Sequence, residues 1–271
     1  MSCFVCPVCH GALHREGGSL FCEKRHCYDI SKRGYVNLLM SQASSDARHG
    51  DGKDMVAARR DFLSLGLYDT IARAVTEEIS RAARRGMTVL DVGCGECFYT
   101  AKVASALEKF APTVAGIDIS KDALAAGSKR GASIELAVAS AYDLPVSDGS
   151  VDALINLFAP HSESEFLRVM KSGGVLVRAF PAERHLWELK AALYDSPYEN
   201  SAPALDIDGF DTVNIRRLTY KIKLTSNADV MNLFKMTPYS YKTGSSDEKK
   251  LDGIDSIETT VDVTVASYEK K

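Results

Sequence analysis

The chain has 271 residues, a formal net charge of −3 and 45% hydrophobic residues. That length suits one large domain, or a medium one with a small accessory module, and the composition is that of an ordinary globular protein. No apolar run approaches the ~18 residues of a membrane span, so no membrane partner is expected. The balance of charge excludes coating of nucleic acid by bulk charge, while leaving room for a local basic face. The start, MSCFVCPVCH, lacks a basic stretch followed by an apolar one, so a signal peptide is not expected. Seven cysteines, an odd number, fit a disulfide framework poorly, and a reducing cytoplasm is the expected location.

Five of the seven cysteines crowd the amino end: Cys3, Cys6, Cys9, Cys22 and Cys27. Cys6-Pro7-Val8-Cys9 is a CxxC turn, and Cys22 with His26 completes the pattern C-x2-C-x12-C-x3-H. Two such pairs present four ligands to one ion in the tetrahedral arrangement that Zn2+ prefers. A module this small cannot bury enough surface to fold alone, so the metal would supply folding free energy. Four protein ligands leave no open position, which makes the expected zinc structural. Cys27 adjoins His26 and competes with it as fourth ligand, with His26 favoured; Cys3 is a weaker competitor.

The polar, glycine-containing segment 41–54 reads as an exposed, mobile linker. Residues 55–85 read as helices, with apolar positions at Phe62, Leu65, Leu67, Ile71, Val75 and Ile79. From about residue 86 strands alternate with helices. Strands are expected at 88–93, 113–119, 133–139, 151–158 and 174–180, and helices over 99–110 and from Lys121. Such alternation implies parallel crossovers and a doubly wound α/β sheet, whose ligands lie at the carboxyl ends of the strands. A loop-rich stretch, 195–209, precedes strands at 211–225 and 256–268, with a helix at 228–235 between them. Three parts follow: a metal-binding module (1–36), linker and helices (37–85), and the α/β domain (86–271).

The loop after the first α/β strand reads Asp91-Val92-Gly93-Cys94-Gly95-Glu96-Cys97. Gly93 and Gly95 allow a tight turn and close approach of a ligand to the backbone. Asp118 ends the next strand, where an acid accepts hydrogen bonds from both hydroxyls of an adenosine ribose. The third glycine of a dinucleotide fingerprint is absent, which disfavours a pyrophosphate cofactor and favours S-adenosylmethionine. The blander alternatives are that Asp91 braces a loop amide and that Asp118 caps the helix at Lys121.

These segments together resemble a known family. CPVCHGAL, FCEKRHCYDISKRGYVNLL, MVAARRDFLSLGLY, VLDVGCGECFYT, NLFAP, PAERHLWELK and KMTP follow one another as in the bacterial 23S rRNA guanine-N1 methyltransferases. The resemblance implies an N-terminal zinc ribbon and a class I, Rossmann-like methyltransferase domain using S-adenosylmethionine. It implies a guanine in a 23S rRNA hairpin as target, frequent dimerisation and, in some members, resistance to macrolides such as tylosin. By matching position it makes Cys6, Cys9, Cys22 and His26 the zinc ligands, and Gly95, Glu96, Tyr68 and His185 cofactor contacts. Cys97 departs from the pattern, standing where the family usually has glycine; it would crowd the loop or bring a thiol near the cofactor.

Asn156 and Phe158, at the carboxyl end of the 151–158 strand, are the candidates for holding the target base. The Asn156 amide would hydrogen-bond a base edge, and Phe158 would stack on an unpaired guanine; the alternatives are a turn contact for Asn156 and strand-end packing for Phe158. RNA affinity needs phosphate contacts from lysine and arginine. Segment 1–85 carries more basic than acidic side chains, and the remainder of the chain the reverse. Lys24, Arg25, Lys32, Arg33, Arg48, Lys53, Arg59 and Arg60 are therefore the expected RNA-facing groups. Two other readings remain open at this stage: a small-molecule methyltransferase with a zinc appendage, and a zinc-dependent RNA-binding protein with an inactive cofactor domain.

Overall fold

A computed structural model describes residues 2–40, 50–131, 133–202 and 204–271. Most of the linker expected at 41–54, with Arg48, lies outside the described residues. At the amino end, β1 (His14–Glu16), β2 (Ser19–Phe21) and β3 (Cys27–Asp29) form a three-stranded antiparallel sheet. Gly17-Gly18 closes its first hairpin, with Gly17 at φ 61°, as two-residue hairpin turns require.

The main sheet has eight strands. They are β4 (Val36–Asn37), β5 (Thr88–Val92), β6 (Thr113–Asp118), β7 (Ile134–Val138), β8 (Val151–Leu157), β9 (Met170–Pro181), β10 (Phe210–Leu224) and β11 (Ile257–Lys270). Their spatial order is β10-β11-β9-β8-β5-β6-β7-β4. Strands β4 to β9 pair in parallel, while β11 runs antiparallel between β9 and β10. The order reverses between β5 and β8, which opens a crevice at their carboxyl ends. All seven residues of β8 are buried, as expected of a central strand covered on both faces. The doubly wound sheet expected from the alternation is present; β9 starts earlier than expected because Met170 already pairs with Val151.

The helices are α1 (Lys53–Leu63), α2 (Asp69–Arg81), α3 (Phe98–Leu107), α4 (Lys121–Gly127), α5 (Glu163–Val169), α6 (Trp187–Leu193) and α7 (Asn227–Lys235). In α2 the buried residues Ile71, Ala72, Ala74, Val75, Glu78 and Ile79 form one stripe at helical spacing. It packs with Phe62, Leu189 and Leu233 over Val89, Ile155 and Val177 of the sheet. On the opposite face Phe4, Leu13, Leu20 and Val36 share a core with Leu90, Leu154, Phe166 and Leu176. The small amino-terminal sheet is thus built into the larger one, and the expected boundary at residue 36 falls inside β4. No helix among the described residues is long and apolar enough to cross a membrane.

A third apolar cluster joins Cys94 and Cys97 to Leu124, Leu136 and Val138. Cys97 caps α3 in the left-handed region, at φ 63°, which costs a residue with a Cβ about 1–2 kcal/mol relative to the right-handed form. Its thiol occupies space left by Gly127: a Cβ there would sit 2.6 Å from Cys97 Sγ. The crowding and the accessible thiol expected of Cys97 are therefore absent, because its side chain is wholly buried against α4. Gly127→Ala should destabilise the protein by about 1–3 kcal/mol through overpacking, and adding Cys97→Gly should restore most of the loss. Urea unfolding of the single and double variants checks this; an additive double variant would contradict it.

Candidate metal centre and cofactor site

The two halves of the metal module are built alike. After Cys6 the chain turns through His10, at φ 55°, with His10 N–H donating to Cys6 O at 2.8 Å. After Cys22 it turns through Arg25, at φ 63°, with Arg25 N–H donating to Cys22 O at 2.8 Å. These turns bring the ligand atoms of Cys6, Cys9, Cys22 and His26 within 4.8 Å of one another. His26 Nδ1 lies 3.4 Å from Cys6 Sγ and 3.3 Å from Cys22 Sγ, and Cys9 Sγ lies 3.6 Å from Cys22 Sγ. Metal–ligand bonds of ~2.0–2.3 Å in a tetrahedron separate ligands by about 3.3–3.8 Å, so the set fits zinc. Tyr28 Oη stands 3.1 Å from Cys6 Sγ as an outer partner. Cys27 is exposed on β3, outside this group, and burial and Glu135 push the Cys3 thiol well above its ordinary range. The fourth ligand is thereby His26, through Nδ1. His26→Ala should lower the zinc content of the purified protein, while Cys27→Ser should retain a full equivalent; atomic absorption measures both.

At the crevice, Gly93 sits at φ 81° and Gly95 at φ 54°. A Cβ on Gly93 would lie 2.4 Å from the Cβ of Ala159, so the loops after β5 and β8 approach as closely as only glycine allows. Gly95 N–H donates to Asp118 Oδ2 at 2.9 Å, and Ser120 N–H donates to Asp118 Oδ1 at 2.8 Å. Burial raises the Asp118 carboxyl, while these two amides act to lower it. Capping of α4 falls to Ser120, whose Oγ accepts from Ala123 N–H, so Asp118 is not spent on that role.

Two expected contacts stand elsewhere. Asp91 is buried and accepts from Thr100 Oγ1 at 2.5 Å, tying β5 to the first turn of α3. Burial pushes its carboxyl up to about 7 against that hydrogen bond. Glu96, also buried, takes a bidentate grip from Arg130, with Arg130 Nε donating at 2.9 Å. Its carboxylate pairs with a guanidinium, as an acid this deep requires.

Tyr68 and His185, far apart in sequence, meet: Tyr68 Oη lies 3.3 Å from His185 Nε2. Asp262 N–H donates to His185 Nδ1 at 3.2 Å, so the neutral ring carries its proton on Nε2 and donates to Tyr68. That leaves the Tyr68 hydroxyl proton to be given elsewhere. Phe158 stacks on His185, with centroids 6.4 Å apart and planes at 19°, and lies 6.4 Å from the Tyr99 ring. Asn156 Nδ2 donates to Val92 O at 3.0 Å and to Pro160 O at 3.2 Å. Both amide hydrogens thus brace the end of β5 and the loop after β8, the turn contact that was the alternative for this residue.

Of the other residues at the site, Asp51 and Arg130 lie outside the segments that carry the resemblance, while Arg59, Tyr99 and Thr100 lie within them without an expected cofactor role. Arg59 was expected to face RNA, yet it turns inward to Asp51 and donates through Nη2 to Met236 O at 3.0 Å. Gly50 and Asp51, expected in a mobile linker, pack on the turn after β6.

Burial pushes His185 down to about 4 from the ordinary 6.5. The unfolded chain then binds one more proton between those values, so the His185 contribution to stability is complete above about pH 6.5 and falls toward pH 4. Between about pH 7.5 and about pH 5, His185→Gln should lose about 2 kcal/mol less stability than the parent protein. Urea midpoints at the two pH values test this, and equal losses would contradict it.

Comparison with known proteins follows this geometry. A zinc-ribbon family model described as "RlmA, N-terminal" matches residues 4–45, and one described as "Methyltransferase domain" matches residues 89–174. A Bacillus subtilis (strain 168) protein, provisionally named a 23S rRNA (guanine-N(1)-)-methyltransferase, is 31% identical over 280 residues, covering 97% of this chain and 96% of its own. A Micromonospora griseorubida protein of the same provisional name is 34% identical over 205 residues, 68% of this chain and 67% of its own. The 23S rRNA (guanine(748)-N(1))-methyltransferase of Streptomyces fradiae is 34% identical over 191 residues, 69% of this chain and 66% of its own. With a relative at this identity along nearly its whole length, the chain belongs to the family of 23S rRNA (guanine-N1) methyltransferases.

Proposed function

We propose that this protein methylates N1 of a guanine in 23S rRNA, using S-adenosylmethionine, with a structural zinc in its amino-terminal module. The observation that carries the reading is Phe158. It is a 41% exposed phenylalanine held at φ 54°, one residue beyond β8, beside the glycine loop. A large apolar side chain in the left-handed region at a crevice stores strain that packing alone does not require, and an open ring there suits stacking on an unpaired base.

Bound S-adenosylmethionine supplies an electrophilic methyl group on a sulfonium. Gly93, Gly95 and Asp118 form the floor for its nucleoside, with Asp118 accepting from the ribose hydroxyls. Tyr68, oriented by His185 Nε2–H, directs its hydroxyl proton to the bound molecules. Phe158 holds the guanine ring, and Asn156 Oδ1 accepts from the base's Watson–Crick edge. The N1–methyl bond forms as the sulfur–methyl bond breaks, the thioether leaves and the N1 proton passes to water, and such in-line transfer gains most from positioning. The target belongs to a hairpin loop, whose unstacked bases are accessible. Exposed Lys24, Arg25, Lys32 and Arg33 on and beside the zinc module contact phosphates, and the 86–271 segment carries the chemistry. Pairing of two copies of the chain, as the resemblance implies, belongs to the same reading.

Methyl transfer to 23S rRNA, followed by mapping, should yield N1-methylguanine in a hairpin loop. Incorporation into small phenols or amines, and none into rRNA, would overturn the reading. Phe158→Ala should lower kcat/KM for RNA about tenfold or more, as expected from loss of one stacked base, with cofactor affinity unchanged.

A further inference from the structure

Gly50 and Asp51, just before α1, pack on the turn after β6 beside the crevice, and the contacts assigned above do not account for them. Gly50, at φ 79°, lies so close to the turn after β6 that a Cβ would be 2.7 Å from Ile119 Cγ2 and 3.2 Å from Ser120 N. Ser120 Oγ donates to Asp51 O at 2.6 Å, which fixes Asp51 beside that turn. The Asp51 carboxylate pairs with Arg59, and both side chains are largely shielded, at 23% and 28% exposed. Arg59 is also held at Met236 O, at the end of α7. The open side of Gly95 points at it: a Cβ there would lie 3.9 Å from Arg59 Nη1.

The pair is partly shielded and stands beside the glycine loop, where its charges are within reach of a ligand in the crevice. Asp118 and Gly95 are joined by a 2.9 Å hydrogen bond, and Arg59 lies beyond Gly95 along the same floor. A nucleoside whose ribose meets Asp118 would direct its sulfur-bearing chain toward Arg59. That chain ends in an α-amino acid, a carboxylate beside an ammonium. Arg59 has five N–H donors, of which the contacts to Asp51 and Met236 use a part, and its fork matches a carboxylate.

We propose that Asp51 and Arg59 are the receptor for the zwitterionic amino-acid end of the methyl donor. Arg59, on α1, holds the carboxylate, and Asp51, just before that helix, holds the ammonium. The assignment rests on the reading of Gly95 and Asp118 as the cofactor floor.

The test is direct binding, by calorimetry, of two ligands to the full-length protein. S-adenosylhomocysteine carries the amino-acid group; methylthioadenosine shares the adenosine and the thioether without it. Arg59→Gln should weaken S-adenosylhomocysteine about tenfold or more, as loss of a charge-assisted pair implies, and leave methylthioadenosine unchanged. Asp51→Asn should shift the same preference in the same direction, and Arg59→Lys should recover part of it. Because both ligands are compared on one preparation of each variant, any loss of folded protein cancels. Equal weakening of both ligands would mean that the pair only fastens the segment before α1, and an unchanged preference would mean that it does not reach the cofactor; either overturns the proposal. If the parent protein binds neither ligand, the reading of the glycine loop fails and this inference with it. If the parent binds both alike, the inference alone fails.

Discussion

The ends of β5 and β8 are drawn together until Gly93 and Ala159 leave no room for another atom: a Cβ on the glycine would sit 2.4 Å from the alanine methyl. Asn156 locks this approach, donating from Nδ2 to carbonyls of both loops. With the two loops tied, Phe158 has one place to go, and the chain takes φ 54° to put it there. The Tyr99 and His185 rings then flank it, and Tyr68 follows through its hydrogen bond to His185. The crevice is thus defined from one close contact outward. A side chain at Gly93 would separate the floor proposed for the nucleoside from the ring proposed for the base.

Asp91, Glu96 and Asp118, acids of two neighbouring strand ends, show how environment divides similar groups. Asp91 is enclosed with a hydroxyl partner, and burial pushes it up to about 7. Glu96 is equally enclosed but has Arg130, whose cation offsets the cost of burying its charge. Asp118 is held by two backbone amides, a cradle that favours a carboxylate while leaving lone pairs for further donors. Desolvation acts on all three in the same direction. The partner decides which braces the loop, which neutralises an arginine and which is left to serve a ligand.

The zinc module follows the same logic of borrowed support. Its strands are three residues long, too short for a core of their own, so the metal ties its turns together and the main sheet covers its apolar side. Phe4 bridges to Val146, and Ser2 Oγ donates to Glu135 at 2.6 Å. The module's orientation is set by the sheet it rests on, which is why exposed Lys24, Arg25, Lys32 and Arg33 keep a defined relation to the crevice.

The amino-acid sequence alone determined three of the four metal ligands, the alternation of strands and helices, and the glycine turn with its following acid. Each is a short-range pattern: fixed spacing between ligands, period in hydrophobicity, or a residue without a side chain where the backbone must turn. By resemblance it also singled out Tyr68 and His185, which the fold brings within 3.3 Å of each other. Tertiary structure alone decided between His26 and Cys27, since that depends on which side chain β3 turns toward the other three ligands. It gave Asp91 and Glu96 their partners, Thr100 and Arg130, which reach them from separate elements. It also turned Arg59 from an expected surface charge into a partner of Asp51 above Gly95. Such outcomes rest on contacts between residues distant in the chain, and the sheet order that makes those residues neighbours is written in no local segment.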